Sequence, residues 1–458
     1  MENIKLSVQE IAELLSNRQF MKLKEIFADM NSADIADFLK ELSNEELLLA
    51  FRILPKDQAA DTFVEMDADE QETLIQSFSD SELKAVVDDL FVDDAVDILE
   101  EMPANVVKRI LRFTEPQTRR RINEILKYPE DSAGSIMTVE YVRLKKNMTV
   151  DDAIAHIRST GLDKETIYTC YVTDLNNKLI GILSVKTLLL ARGDEIIEDL
   201  METNLIYFKT NDDKEDVANA FDKYDLIAIP VVDDETRLLG IVTFDDAIDV
   251  LQDEATEDIE KMAAIIPSEK PYLKTGIFET WKQRIPWLLL LMVSATFTGK
   301  IISSFESALA GCVALTAFIP MLMDTAGNSG GQTSVTIIRS LSLGDIELKD
   351  VLKILWKELR VAIVCGLTLA VVNFGKMMLL DRGAIIADGQ SALLVSFVVS
   401  ITLVVTVVFA KLVGSFLPIC AKKIGFDPAV MASPFITTIV DALALLVYFN
   451  IAQSILGL

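Results

Sequence analysis

The stretch Pro320-Met-Leu-Met-Asp-Thr-Ala-Gly-Asn-Ser-Gly-Gly-Gln-Thr-Ser334 lies inside an otherwise apolar run, residues 307–338, yet carries three glycines, an asparagine and a glutamine. At membrane depth, polar backbone and amide groups are tolerated only against protein or a wet cavity. Two readings fit. Unwound backbone carbonyls and an asparagine oxygen are what a pore presents to a hard cation. Close glycine-mediated helix packing is the other. Pro320, Gly327, Asn328 and Gly330 are the candidate residues of this segment.

Four further runs, 285–303, 361–380, 392–418 and 429–458, are also apolar enough to span a bilayer of about 30 Å. Five spans put Lys274, Lys282 and Arg284, then Arg339 to Arg360, then Lys422 and Lys423 on one side. The positive-inside rule makes that side cytoplasmic, so the N-terminal half is expected inside and the C-terminus outside. Lys300 and Lys411 blur this pattern slightly. Asp441 falls near the centre of the last span, seven residues after Pro434. A carboxylate there costs at least about 2.5 kcal/mol, so it should face water or a cation. Asp427 stands at the entrance of the same span.

Charge divides the chain in two. Residues 1–270 hold 59 acidic and 29 basic residues, a net of −30, whereas 271–458 are at +3. A half this negative repels nucleic acid and attracts cations. Cys170, Cys312, Cys365 and Cys420 form no C-x-x-C pair and read as small apolar fillers. His156, the single histidine, reads as a packing or surface residue on an amphipathic helix. No signal peptide is evident. No nucleophile–base set or phosphate loop accompanies the many carboxylates, which argues against an enzyme.

Residues 1–130 read as short helices in a superhelical stack, with apolar residues at three- and four-residue spacing as in Ile35, Phe38, Leu39 and Leu42. Breaks fall at Asn44, Pro55, Pro103 and Pro116, and acidic helix starts are expected at Ser32, Ala60 and Val92. Residues 131–250 contain a repeat. Ser135-Ile-Met-Thr corresponds to Asp199-Leu-Met-Glu, 64 residues on. Tyr171-Val-Thr-Asp with Leu179-Ile-Gly-Ile-Leu-Ser matches Val231-Val-Asp-Asp with Leu238-Leu-Gly-Ile-Val-Thr. Each copy, 131–198 and 199–250, reads helix, strand, turn, strand, helix, and the two resemble a tandem pair of CBS domains. Such pairs often bind adenine nucleotides, and Thr243 and Asp246 occupy the corresponding positions. The first copy has Ser184 and Thr187 instead, without the ribose-binding acid. A purely structural pair is the alternative.

The segment 245–270 joins the halves. Its helix, 245–263, places Asp249, Asp253 and Glu257 four apart on one face, with Glu254 and Asp258 beside them. Like charges at that spacing weaken a helix. The ligands on offer for an ion are oxygens, without a histidine or thiolate cluster, which favours magnesium or calcium over zinc and copper. One Asp441 per chain, doubled in a two-fold dimer, would balance a divalent ion that keeps its waters. Manganese and cobalt are not separated by this reasoning.

With these features in place, the chain resembles the MgtE-type magnesium channels along its whole length. The resemblance rests on Pro320 with Gly327-Asn-Ser-Gly-Gly-Gln, on Asp427-Pro, on Pro434-Phe-Ile-Thr-Thr-Ile-Val-Asp441 and on Glu254-Ala-Thr-Glu-Asp-Ile. It departs at Gly331, where some relatives have asparagine. It implies a multidomain chain: an all-α superhelical N domain at 1–130, an α/β tandem CBS pair, and a five-helix transmembrane domain at 271–458. It also implies a homodimer with its pore on the two-fold axis. The backbone at Gly327 and Asn328 and the carboxylate of Asp441 would hold hydrated Mg²⁺. The acidic helix, with Asp249, Glu254, Glu257 and Asp258, would plug the pore when Mg²⁺ fills cytosolic sites. Asp93 and Asp97 match the family's acidic pair in the N domain. A gradient-driven secondary transporter of Mg²⁺, Co²⁺ or Mn²⁺ is the alternative function. A membrane-anchored nucleotide sensor that binds ATP at the CBS pair is a third.

Overall fold

The computed structural model describes residues 8–268, 272–387, 389–431 and 433–457. The end of the expected connecting segment, residues 269 and 270, lies outside them. The chain forms two compact units, Met1–Leu251 and Gln252–Leu458.

In the first unit, ten short helices run from Val8 to Ile125 among the described residues. Local sequence starts them. The Asn31 side chain accepts from the Ala33 amide, Ser79 and Glu82 form a reciprocal capping box, Pro55 and Pro103 are N-caps, and Pro116 opens its helix. Side-chain oxygens satisfy amides that have no intrahelical partner, and proline loses nothing where no amide bond is required. The starts at Ser32 and Val92 are where the sequence put them. Ala60 instead lies inside the helix Lys56–Val64, because Pro55 begins that helix earlier. The helices stack through fully buried Leu23, Phe27, Ile35, Leu39, Leu74 and Ile75.

The repeat region carries two three-stranded sheets of one topology. β1 (Tyr141–Lys145) is parallel to β2 (Thr166–Thr173), which is antiparallel to β3 (Leu179–Ser184). β4 (Phe208–Lys209), β5 (Ala228–Val232) and β6 (Leu238–Thr243) repeat this order. The leading strands β1 and β4 add to the expected helix–strand–strand–helix pattern; β4 is two residues long and too short to register as a periodic run. The turns after β2 and β5 are built alike. Asp174 accepts from the Asn176 and Lys178 amides, and Asp233 from those of Glu235 and Arg237. The turns then join the copies reciprocally, Leu179 N to Thr236 O at 2.9 Å and Leu238 N to Asn177 O at 3.0 Å. The first copy has its own core around Val142, Leu144 and Cys170. The core of the second, with Val231, Val242, Ala247 and Val250, is continuous with that of the N-terminal helices. This continuity sets the helix Val92–Glu101 beside the start of the connecting helix Phe244–Met262.

In the second unit, four stretches among the described residues are long and apolar enough to cross a membrane: Ile277–Ser304, Leu348–Ala387, Ala392–Lys423 and Pro428–Leu456. The expected span 307–338 resolves into Glu306–Gly311, a 3₁₀ segment Val313–Phe318 and the helix Ile319–Ser342. That helix is too polar to rank with the other four on apolarity alone. It is continuous through Gly327, Asn328 and Gly330, so the unwound-backbone reading is corrected: its carbonyls are engaged in the helix. The glycines serve close packing instead. A Cβ on Gly414 would lie 2.3 Å from the Gly330 carbonyl oxygen, and one on Gly330 would lie 3.1 Å from that of Ala410. Behind the crossing, Lys411 is only 6% exposed. It donates to the Thr333 hydroxyl at 3.1 Å, and that hydroxyl lies 3.1 Å from Glu358. Lys411 is therefore part of a buried polar network and carries no information on orientation.

The glycine crossing generates a prediction. Gly414→Ala forces two helix backbones apart, whereas a Cβ at Gly375, in the helix Val351–Lys376, meets nothing within 4 Å. Overpacking of this kind costs about 1–3 kcal/mol. Gly414→Ala should melt at lower temperature in detergent than wild type, and Gly375→Ala should not; equal melting of all three would contradict the crossing.

Candidate ion-binding sites

Three groups of acidic side chains stand out, one in the first unit and two in the second. In the first, the helix Val92–Glu101 turns Asp93, Asp94 and Asp97 toward Asp246, at the start of the connecting helix, and toward Glu165 at the entry of β2. Asp93 is 6% exposed and its Oδ1 has no hydrogen-bond partner. Glu165 Oε2 is buried in the same condition. Burial, then the charge of Asp246, raises Asp93 well above the usual carboxylate range. The same two causes push Asp94 and Asp97 up to about 7. Burial and the charge of Asp94 push Glu165 to about 8. Asp246 rises to about 6 through burial, although the Thr243 hydroxyl donates to it and opposes the shift.

Asp93 is thus buried, Asp94, Glu165 and Asp246 are half-buried and Asp97 lies at the exposed edge of the group, and no cationic side chain is among the causes of these shifts. Among the described residues, no three ligands converge into a ready-made metal sphere. The donor set is nevertheless suited to a hard cation that keeps most of its waters, since such an ion needs only one or two direct carboxylates. The orphaned Asp93 oxygen is the clearest open ligand position.

In the second unit, the helix Ser433–Leu456 packs its Thr437 against Gly327, and Asp441 follows one turn later. A Cβ on Gly327 would meet Thr437 Cγ2 at 2.9 Å and lie 3.7 Å from Asp441 Oδ1. The missing side chain is what lets the carboxylate approach. Asp324 lies near enough for its charge to bear on Asp441. Asn328 Nδ2 donates to Asp324 Oδ1 at 3.1 Å. Asp324, Asn328, Gln332 and Thr336 recur every four residues and are all exposed, a polar stripe along the helix Ile319–Ser342. Gly330 faces the other way, into the crossing with Gly414. Pro320 occupies the first turn of the helix, where a missing amide costs nothing.

The same unit holds the end of the connecting helix. Lys261 lies 2.5 Å from Glu257 and 2.7 Å from Asp427. Burial works against the Lys261 charge, but these two bonds outweigh it and raise its pKa. Burial, then the charge of Asp427, raises Asp258. Met262 packs beside Ile338 and Ala429.

The structure therefore brings Asp93 and Asp97 together with Asp246, Asp441 with Gly327 and Asp324, the latter held by Asn328, and Glu257 and Asp258 with Asp427. Asp249 adds to the field on Asp246, from the same helix. Asp94, Glu165, Asp324 and Lys261 were not singled out from sequence. Asp324 is legible in retrospect, one turn before Asn328, as is Lys261, one turn after Glu257. Glu165 carries no local signal, since only the tertiary fold brings it to the N-terminal helices.

Comparison with known proteins identifies the family and its domains. Residues 319–451 match the family described as divalent cation transporter, MgtE; residues 30–131 match the MgtE intracellular N domain; 133–194 and 197–253 each match the CBS domain. The magnesium transporter MgtE of Thermus thermophilus is 34% identical over 99% of both chains. That of Bacillus subtilis is 32% identical over 98% of this chain and 97% of its own. Among solved structures, the cytosolic domain of the Mg²⁺ channel MgtE in complex with ATP is 32% identical, with a TM-score of 0.51, covering 53% of this chain and all of that one. The chain belongs to the MgtE family, whose members are membrane transporters and not enzymes.

Proposed function

We propose that this chain is a Mg²⁺-selective channel for magnesium uptake that Mg²⁺ itself closes from the cytosol. Family membership supports Mg²⁺ transport across a bilayer. The observation that carries the permeation reading is the polar stripe of Asp324, Asn328 and Gln332 beside Asp441. Polar groups on an intramembrane surface require water or a second copy against them, which suits a pore between two protomers. Asp441 and Asp324 supply charge to a hydrated divalent ion, and Asn328 holds Asp324 in place. Asp427 stands at the cytosolic mouth, with the N-terminal half inside and the C-terminus outside.

Closure follows from the acidic cluster. Asp93, Asp97 and Asp246 would hold cytosolic Mg²⁺, and its charge would offset the repulsion that their proximity creates. The connecting helix, with Asp249, Glu254, Glu257 and Asp258, acts as the plug, latched through Lys261 to Asp427. A ligand that binds one arrangement better shifts the population toward it. The working parts are then the N domain at 1–130, CBS copies at 131–198 and 199–250, the plug segment 245–270 and the pore domain 271–458. Thr243 and Asp246 remain the candidate ATP contacts, supported by the ATP complex of the similar cytosolic domain.

Two outcomes test this. In a bacterium that cannot take up Mg²⁺, the wild type should restore growth in low-Mg²⁺ medium. Asp441→Ala, present in the membrane at equal level, should cut uptake by roughly tenfold or more; wild-type uptake by that variant would remove Asp441 from the pore.

The second concerns pH. Asp94, Asp97, Glu165 and Asp246 titrate higher in the folded unit than the roughly 4 of an unfolded chain. The folded form therefore binds more protons between about pH 4 and pH 8, and stability falls as pH rises through that window. In metal-free buffer the soluble unit should melt lower at pH 8 than at pH 6, and millimolar Mg²⁺ should shrink the difference. A melting temperature that rises with pH, or a difference that Mg²⁺ leaves intact, would contradict the cluster as a cation site.

A further inference from the structure

The first 270 residues are strongly acidic, yet one well-formed recess in them is basic. A recess of about 1020 Å³ opens between the helix Pro116–Ile125 and the first CBS copy. Arg121, Arg143, Lys145 and Lys164 line it, with His156 and Thr160 beside them. Alternation along β1 builds one wall: Val142 and Leu144 enter the core, so Tyr141, Arg143 and Lys145 take the other face. Helical spacing builds another, since Asp152, His156 and Thr160 fall four apart on the helix Val150–Thr160.

Four permanent cations face two acids, Asp152 and Asp163. Asp152 is turned onto its own helix start, accepting from the Thr149 amide at 3.2 Å and hydroxyl at 2.7 Å. Arg121 is engaged by Glu140 at 2.9 Å and Arg143 by the Asn177 side chain at 2.8 Å, which fixes both guanidinium groups. Lys145 and Lys164 form no ion pair among the described residues. Positive charge gathered in a concave site focuses the field on an incoming anion, and the volume is at the upper end for small-molecule pockets, about 300–1,000 Å³.

We propose that this recess is an anion site for a small molecule bearing two or more phosphates. A recess of about 1020 Å³ exceeds what one phosphate fills, and two fixed guanidinium groups with two ammonium groups match several phosphoryl oxygens. The site is separate from Thr243 and Asp246, which belong to the second copy. Because Arg121 comes from the N-terminal helices and the other cations from the first CBS copy, a bound anion bridges the two and provides a second regulatory input besides Mg²⁺.

Calorimetric titration of full-length protein in detergent with inorganic tripolyphosphate, in Mg²⁺-free buffer, tests this. Wild type should bind saturably, and Lys24→Ala, outside the recess, should match it. Lys145→Ala/Lys164→Ala should weaken binding about tenfold. Asp163→Asn should tighten it, a gain that misfolding cannot produce. Absence of saturable binding by wild type, equal affinity in the double lysine variant, or no gain in Asp163→Asn would overturn the assignment.

Discussion

Carboxylates gathered around a buried Asp93, with no ion pair to a cationic side chain among the described residues, are the constraint on which the first unit depends. Asp93 is buried with an oxygen that nothing in the described protein satisfies, and Asp94, Asp97, Glu165 and Asp246 share its surroundings. Such a cluster has two ways to settle, by taking up protons or by taking up a metal ion. Its members come from the N-terminal helices, the first CBS copy and the connecting helix. Whatever neutralises it therefore acts on all three at once. The hydrophobic core explains why they cannot drift apart locally, because the N-terminal helices and the second CBS copy share one core.

The membrane unit depends on the absence of side chains. At Gly330 and Gly414 two helices come within backbone contact, and at Gly327 a third helix closes in. These approaches fix the rotation of Ile319–Ser342. Gly327 and Gly330 face its neighbours, so Asp324, Asn328 and Gln332 are left on the free side. Packing and polarity are thus two consequences of one sequence pattern. The buried Lys411–Thr333–Glu358 network reinforces the fixed side with directional bonds.

Much of this was legible in the sequence because it is local or periodic. Charge division, the repeat offset and apolar runs gave the parts in order, and Asp441 stood out as a carboxylate in an apolar run. Proline and cap residues marked most helix starts, and Ala60 was misplaced only because Pro55 took precedence. The glycine segment was harder. Glycines in an apolar run are equally consistent with an unwound chain and with a tight crossing, and only the partner helix decides. Gly414 and Ala410, some eighty residues away, are that partner. Glu165 and the basic recess were likewise invisible, since each is assembled from segments whose proximity is tertiary. The large negative total of residues 1–270 also concealed a local excess of positive charge.

The central claim is that one ion both permeates and closes this protein. It is tested most directly by Mg²⁺ flux into proteoliposomes of uniform orientation, without a Na⁺ or H⁺ gradient, while Mg²⁺ on the side of the soluble half is varied. Flux should run down the Mg²⁺ gradient alone, fall steeply as that Mg²⁺ rises, and persist at high Mg²⁺ when Asp93 and Asp97 are both changed to Asn. Flux that requires a second ion gradient, or that is indifferent to Mg²⁺ on the side of the soluble half, would contradict it.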